Sequence, residues 1–561
     1  MFGQVLAMPS FTAASGVKGI QNPTLSGLLT SILELGAWLG VLFNGVLADW
    51  LGRRLCVVIA VVFFCVGVIV QACTRDESYD YILAGRFVTG IGVGSLSMIV
   101  PLYNAEVSPP EIRGSLVALQ QMAIVTGIMV SYWFTFGTNH IGGTGSSQNQ
   151  AAWLLPITIQ ILPALILAIG IMFMPQSPRW LMDQGREEEC LETLAGLRRL
   201  PKDHALVEME FLELKAQKRF ETQISVMDHP ELQDGSARSR IWLVLKGYKS
   251  LVATRPNLRR TTVAVLIMVF QQWTGVNFIV SGDPVTVPPH SMYVLPLPSL
   301  NQERRMTNLD LRCVGKLYYA PFIFRSLGLS GSTTSLLASG VVGVVMWAAT
   351  IPAVLYIDRW GRKKTLIAGA VIMAACHFFV AGIIGGFRDR WETHKAAGWI
   401  AVVFVWIFAM GFGFSWGPCA WCLLAEIFSL GSRARGISIG ASSNWLNNFA
   451  VAISTPDFVT AAPFGAYIFL GGMCVLSVLF VWFMVPETSA RSLDEIDELF
   501  GDKLGRSLLE AKMLIEARRD VGLFRLADID ERIVEEHSRG LEGLREKARG
   551  ATRDSREVEQ Q

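Results

Sequence analysis

Runs of about 20 mostly apolar residues, each long enough to cross about 30 Å of hydrocarbon as a helix, recur along this chain at short intervals. Uncharged runs lie at about 55–74, 114–138, 151–175, 261–280, 333–357, 365–387, 396–424 and 464–485. Two more, at about 81–105 and 433–456, carry Arg only near their starts, and the 26–48 run holds Glu34 but is otherwise apolar and rich in small residues. Residues 2–17, apolar and dotted with Gly and Pro, read as the end of a further span that comes first in order. A single such run fits a buried core helix equally well; a succession of them does not. Charged residues make up 17% of the 561, against about 25% in soluble domains. Lys and Arg (49) nearly balance Asp and Glu (47), so nothing suggests a basic surface for nucleic acid. The expected fold is an all-α, multi-span membrane protein with the bilayer as its solvent.

Charge orients the spans. Arg53 and Arg54 fall between spans two and three, Arg113 between four and five, Arg359 to Lys364 after span eight, and Arg433 and Arg435 after span ten. These loops alternate, and short basic loops prefer the cytoplasm. The polar segment 179–260 and the charged tail after Glu487 join them on that side, so both termini are expected to be cytoplasmic and the membrane to be the plasma membrane. Within 186–220, Leu191, Leu194, Leu197, Phe211 and Leu214 recur at helical spacing, which predicts amphipathic helices. A further docked helix is expected near 493–500.

Enzyme chemistry finds little support. Cys56, Cys65, Cys73, Cys376 and Cys474 lie in apolar runs and read as small packing residues. The seven His residues show no metal-ligand spacing, and there is no phosphate-binding loop for ATP. No cofactor, metal or catalytic residue is expected.

The chain repeats itself. Asp49-Trp-Leu-Gly52-Arg53-Arg54 follows span two, and Asp358-Arg359-Trp-Gly361-Arg362-Lys363 follows span eight. Glu106 with Arg113 follows span four, and Glu426 with Arg433 and Arg435 follows span ten. Both pairs are offset by six spans, which divides the chain into a first bundle (1–178), a linker (179–260), a second bundle (261–487) and a tail (488–561). Duplicated bundles can rock about a central site. Acids beside Arg at helix ends suit a latch, because Arg grips a carboxylate with two bonds. Asp49, Arg53, Arg54, Glu106, Arg113, Asp358, Arg359, Arg362, Glu426, Arg433 and Arg435 are therefore candidate gating residues. For any one Arg the plainer reading is anchoring on the positive side.

Several longer motifs accompany the repeat: GRFVTGIGVG at 85–94, PLYNAEVSPPEIRG at 101–114, PQSPRWL at 175–181, QQWTGVN at 271–277, WGPCAWCLLAEIF at 416–428 and PETSARSLDEI at 486–496. With these motifs the chain resembles the fungal sugar porters of the major facilitator superfamily over 2–279 and 317–500. The resemblance implies two six-helix bundles working by alternating access on a sugar, a polyol or a cyclic acid. It places substrate contacts at Gln121, Gln271, Gln272, Asn277, Trp421, Asn444 and Asn448. The chemistry agrees, since buried amides both donate and accept and an aromatic plane suits a sugar's apolar face. Met346 stands where many hexose carriers have Asn, Gly413 where glucose facilitators have Glu, and Ala420 where a second Pro is usual. Pentoses, other hexoses, disaccharides and quinate therefore stay open beside glucose.

In proton-coupled members of that family an Asp of the first span faces the residue matching Arg86, which suggests proton coupling here. The family's Tyr-Asp-x-Gly would fall a few residues before Met1, so the chain as written is expected to lack the start of its first span. A second break follows span seven. The family runs from Asn277 almost directly to a Tyr pair, here Tyr318-Tyr319, whereas 280–316 inserts 37 residues with Pro at 284, 288, 289, 296 and 298 and a charged Glu303-Arg304-Arg305. No membrane helix accommodates that content. A genuine loop insertion is one reading. A retained intron is preferred, because Val280-Ser281 can be encoded GTG-AGT, Lys316 can end in AG, and excision restores Asn277-Phe-Ile-Leu317-Tyr318-Tyr319.

The expectation is therefore a monomeric secondary carrier, a sugar–proton symporter embedded in lipid. A carrier of quinate or a disaccharide, or a sugar sensor that does not transport, is the alternative.

Overall fold

The structure, a computed structural model, describes residues 2–6, 8–16, 23–75, 78–108, 113–143, 147–228, 237–277, 332–387, 394–428, 432–489, 500 and 516–521. Among them there are helices and no strands. In the first half these are α1 (Phe2–Leu6), α2 (Pro9–Ser15), α3 (Pro23–Leu51), α4 (Arg53–Ala72), α5 (Asp80–Val107), α6 (Arg113–Thr138), α7 (Ala151–Thr158) and α8 (Ile161–Phe173). Then come α9 (Pro178–Asp183), α10 (Glu187–Arg198), α11 (Ala205–Asp228) and α12 (Ala237–Ala253). The second half holds α13 (Arg255–Trp273), α14 (Ser332–Trp360), α15 (Arg362–Phe387), α16 (Lys395–Phe414), α17 (Trp416–Glu426), α18 (Arg433–Ala461) and α19 (Pro463–Met484). The insert at 280–316 and the helix expected near 493–500, except Phe500, lie outside the described residues.

The described residues include nine spans long and apolar enough to cross a membrane. Large apolar side chains stand outward on them, Phe173 at 85% exposure and Phe483 at 74% among them. In water such a surface would be a liability; against lipid it is the expected one. The helix α18, expected as span eleven, falls short of that apolar standard, and it carries Asn444, Asn447 and Asn448.

The described residues within 1–175 and 244–501 form one compact unit, and those within 176–243 and 502–561 form another. In the first unit α3 lies along α5 and α18, and α6 lies along α14. These contacts obey the repeat. Spans two and eight are equivalent, as are five and eleven, so the α3–α18 and α6–α14 seams are the same seam seen from each half. Span ten is broken at Ser415, which separates α16 from α17. The Ser415 hydroxyl donates to the Gly411 carbonyl at 2.5 Å.

The repeat persists at atomic detail. Gly52 and Gly361 both have φ of +83°, a conformation glycine adopts without steric cost. Each lets the chain turn sharply into a helix whose first residue is a buried Arg, Arg53 or Arg362. Arg53 Nη1 donates to the Ala48 carbonyl at 3.0 Å and Arg362 Nη1 to the Ile357 carbonyl at 3.4 Å. Both bonds reach back five residues.

The second unit builds its own small core. Ser177 caps α9 by accepting from the Trp180 amide at 3.3 Å, with Pro178 at the first helical position. Trp180, Leu181, Cys190, Leu194 and Val207 are buried together, with Leu191, Phe211 and Leu214 against them. The amphipathic pattern read in 186–220 is thus used between α9, α10 and α11. Burial pushes the Cys190 thiol up to about 12, with Glu187 adding to the effect.

Candidate substrate and gating sites

An amide array joins α13 to α18. Gln272 Nε2 donates to Asn444 Oδ1 at 2.6 Å, and Asn277 Nδ2 donates to Asn448 Oδ1 at 2.9 Å. Asn277 Nδ2 also donates to Gln272 Oε1. Asn444 and Asn448 are one turn apart and share a face of α18. Four of the seven expected substrate residues therefore form one connected set. Gln271 points elsewhere: its Nε2 donates to the carbonyls of Trp416 (2.9 Å) and Gly417 (3.3 Å), just past the break in span ten. Gln121 packs on the same break, since a Cβ at Gly417 would lie 3.0 Å from its Nε2. Trp421 is buried one turn further along α17.

Three tryptophans add to this region that the sequence reading did not single out. Trp273 Nε1 donates to Asn447 Oδ1 at 2.9 Å within the second half. Trp347 Nε1 donates to Thr126 Oγ1 at 3.0 Å and Trp445 Nε1 to Ser97 Oγ at 2.8 Å, and both bridge the two halves. The signal was present as indoles inside spans, each of which needs an acceptor there.

Met346 and Gly413, two of the departures noted above, face one another. A Cβ at 413 would sit 2.7 Å from the Met346 carbonyl oxygen, and Thr350 Oγ1 donates to the Gly413 carbonyl at 3.1 Å. The space a longer side chain would use is filled by backbone and thioether.

At the basic ends of the helices, acids and Arg pair within each half. Arg53 grips Glu106 through Nε (2.8 Å) and Nη2 (2.7 Å) and lies 3.5 Å from Asp49. Arg362 Nη2 lies 2.7 Å from both Asp358 and Glu426. Arg54 donates to the Met172 carbonyl, and the Arg359 guanidinium lies 5.9 Å from the centre of the Tyr356 ring. Arg433 is buried at the start of α18, and Arg435 lies against Gly247. The Arg113 side chain is outside the described residues. Arg86 is buried on α5 and its Nη2 donates to the Thr30 carbonyl at 3.0 Å.

The bonds that close the basic end between halves were not anticipated. Asp358 Oδ2 accepts from the Ser115 amide (3.1 Å) and hydroxyl (3.0 Å). Ser438 Oγ donates to the Val41 carbonyl at 3.2 Å, with the Tyr248 hydroxyl 3.4 Å from Ser438. Burial raises the Tyr248 phenol above its ordinary value, so it stays a donor at neutral pH. Glu487 accepts the Arg362 and Lys363 amides at 2.8 and 3.1 Å, an anion at a helix N-terminus. Thr488 Oγ1 donates to Glu426 Oε2 at 2.7 Å. Asp358 and Glu426 were among the gating candidates, whereas their partners Ser115 and Thr488, and Ser438, Tyr248 and Glu487, formed no part of the repeated acid-plus-Arg pattern.

Known proteins agree with this architecture. The family model described as "Sugar (and other) transporter" matches residues 1–281 and 314–500. The quinate permease of Neurospora africana is 29% identical over 515 residues, which cover 89% of this chain and 85% of the permease. High-affinity glucose transporter 1 of Candida albicans is 30% identical over 523 residues, covering 90% of this chain and 84% of that protein. Among solved structures, the proton:xylose symporter XylE bound to 6-bromo-6-deoxy-D-glucose superposes with a TM-score of 0.66 at 25% identity, over 89% of this chain and 96% of that one. Its fold is that of the major facilitator superfamily, the fold the resemblance implied. With a family match over both halves and a shared seam between them, this multi-pass membrane protein belongs to the sugar (and other) transporter family.

Proposed function

We propose that this chain carries a monosaccharide or a related polyol across the membrane by alternating access, driven by protons moving with it. The observation that carries this reading is the array of Gln272, Asn277, Asn444 and Asn448, whose amides are neutral and bonded to each other. They can exchange those bonds for sugar hydroxyls, so the cost of burying them is met with and without substrate. Trp421 offers an apolar plane, and Gln271 and Gln121 hold the break beside it. Quinate is the second reading, favoured by the similarity to a quinate permease. A carboxylate substrate calls for a cation, and the described members of the array are neutral, so sugar stands first.

The structure is closed at its basic end, which we take as the cytoplasmic face of a plasma-membrane protein acting as a monomer. Opening that face would part Asp358 from Ser115 and Ser438 from Val41, while the Arg53 and Arg362 clusters keep each half rigid. We retain the division into bundles 1–178 and 261–487, linker 179–260 and tail 488–561. The family match breaks off at 281 and resumes at 314, which supports reading 280–316 as foreign to the fold. The deciding experiment is uptake of labelled D-glucose, D-xylose and quinate by proteoliposomes holding the chain, with and without a proton gradient. Sugar uptake that the gradient concentrates is expected. Binding without uptake would mark a sensor, and preference for quinate would reverse the order of substrates.

A further inference from the structure

His377 lies well inside α15, about 23 Å by helix rise from Arg362 and about 15 Å from Phe387. It is 1% exposed and has no place among the substrate and gating residues described above. Its ring packs on Phe408 of α16, with centres 4.7 Å apart, and on Tyr467 of α19, at 6.0 Å. Packing alone asks nothing of the ring nitrogens, yet Nε2 is aimed at the Thr274 carbonyl, 2.8 Å away and just past the end of α13. A carbonyl accepts and cannot donate, so the neutral ring carries its proton on Nε2. Cys474 Sγ of α19 lies 3.8 Å from the same oxygen, and a thiol is a weak donor.

The backbone turns at the next residue. Gly275 has a φ of +95°, which glycine adopts without steric cost. A Cβ there would lie 3.2 Å from His377 Nε2 and 3.0 Å from Leu470 Cδ1, so the glycine also makes room for the imidazole. Gln272 precedes the turn and Asn277 follows it. Asn277 Nδ2 donates to Gln272 Oε1 and, at 2.9 Å, to Asn448 Oδ1. The angle of the turn therefore decides whether these amides meet.

We propose that His377 is a positioning residue for the solute site, an assignment that rests on the amide array binding the solute. Its Nε2–H holds the Thr274 carbonyl against α15, fixes the peptide that leads into Gly275, and so aims Asn277 at Asn448. It acts through the backbone, not on the solute. Without this donor a buried carbonyl is left short of a partner, and the peptide is free to rotate. A sugar must then order Asn277 as it binds, which weakens binding.

The test uses the full chain in proteoliposomes with D-glucose, D-xylose and quinate as probes. The variants are His377→Gln, His377→Leu, Asn277→Ala and His377→Leu with Asn277→Ala. Gln keeps an N–H donor at the same reach from Cβ; Leu keeps bulk without a donor. His377→Leu should raise KM by about 3–10-fold, the worth of about one hydrogen bond, with the maximal rate per folded carrier unchanged. His377→Gln should restore most of that loss. A packing defect alone would reduce folded carrier and leave KM as it was, which would overturn the assignment. In the Asn277→Ala background, His377→Leu should shift KM less than about twofold, because the residue it acts through is gone. Equal shifts in both backgrounds would also overturn the assignment and leave the solute site standing. A wild type that binds none of the three probes would remove the solute site and the assignment together. Nitrogen-15 NMR of wild type, with threonine carbonyls labelled with carbon-13, answers without any variant. A histidine ring with its proton on Nε2 and in contact with a threonine carbonyl supports the proposal, and the lack of such a ring defeats it.

Discussion

Amides in neighbouring positions do different work here. Gln271 and Gln272 are adjacent in sequence, yet one holds backbone carbonyls at a helix break and the other bonds a side chain of the facing half-site. Replacing Gln272 or Asn444 with Ala should raise the KM for sugar by about 3–10-fold, the worth of one or two hydrogen bonds, and lower stability by about 1–3 kcal/mol because the buried partner amide is left unpaired. Gln271→Ala should lower stability to a similar degree, because buried carbonyls lose a partner, while shifting KM less. Equal KM effects from both would place Gln271 with the substrate after all. The sequence showed that amides sit inside spans, and solvent physics made them notable. It could not show which of them face each other, because that depends on the rotation of α13 and α18 about their axes.

Among the elements, α14 and α16 show how a departure in sequence becomes a change in packing. Gly413 lets the Met346 backbone approach to a distance no side chain tolerates. Gly413→Glu, which would restore the residue typical of glucose facilitators, should therefore fail to gain glucose preference. It should instead lower the yield of folded protein, with a cost of about 1–3 kcal/mol or more for overpacking. Detergent-solubilised thermal stability and expression measure this, and a stable variant with improved glucose uptake would contradict it. Gly361→Ala strains a positive φ and drives a methyl toward Glu487, so a loss of about 1–2 kcal/mol is expected. The two glycines at 52 and 361 were legible as a motif because the turn demands them. The break at Ser415 was not legible, since the apolar run passes through it without interruption and no glycine or proline occupies residue 415 itself.

For the molecule as a whole, the repeat was readable as two loops of like sequence, and the structure extends it to the seams between the halves. The loops showed acids beside Arg and so suggested that ion pairs would close the basic end. The ion pairs described above for Arg53 and Arg362 lie within each half, and at the basic end Asp358 and Ser438 bond across the seams to Ser115 and Val41. The loops exposed Asp358 but not its partner Ser115, nor the Ser438–Val41 bond, because serine hydroxyls give no pattern at the level of charge. The two latches lie one on each seam, and each includes a neutral hydroxyl hydrogen bond, so loss of either hydroxyl should cost a similar amount. Ser115→Ala removes one hydroxyl bond and spares the backbone amide, and Ser438→Ala removes the other. Each loss, at about 1 kcal/mol, should shift the closed-to-open ratio by about fivefold. The pair, on separate seams, should add to nearly the sum of the two free energies. Spin labels on the basic ends of α4 and α15 would report the distance distribution by pulsed electron resonance. Arg362→Ala, by contrast, should disorder the second half and lower stability without a clean shift between two distances. If Ser115→Ala and Ser438→Ala leave the distribution unchanged while Arg362→Ala opens it, the gate resides in the ion pairs after all.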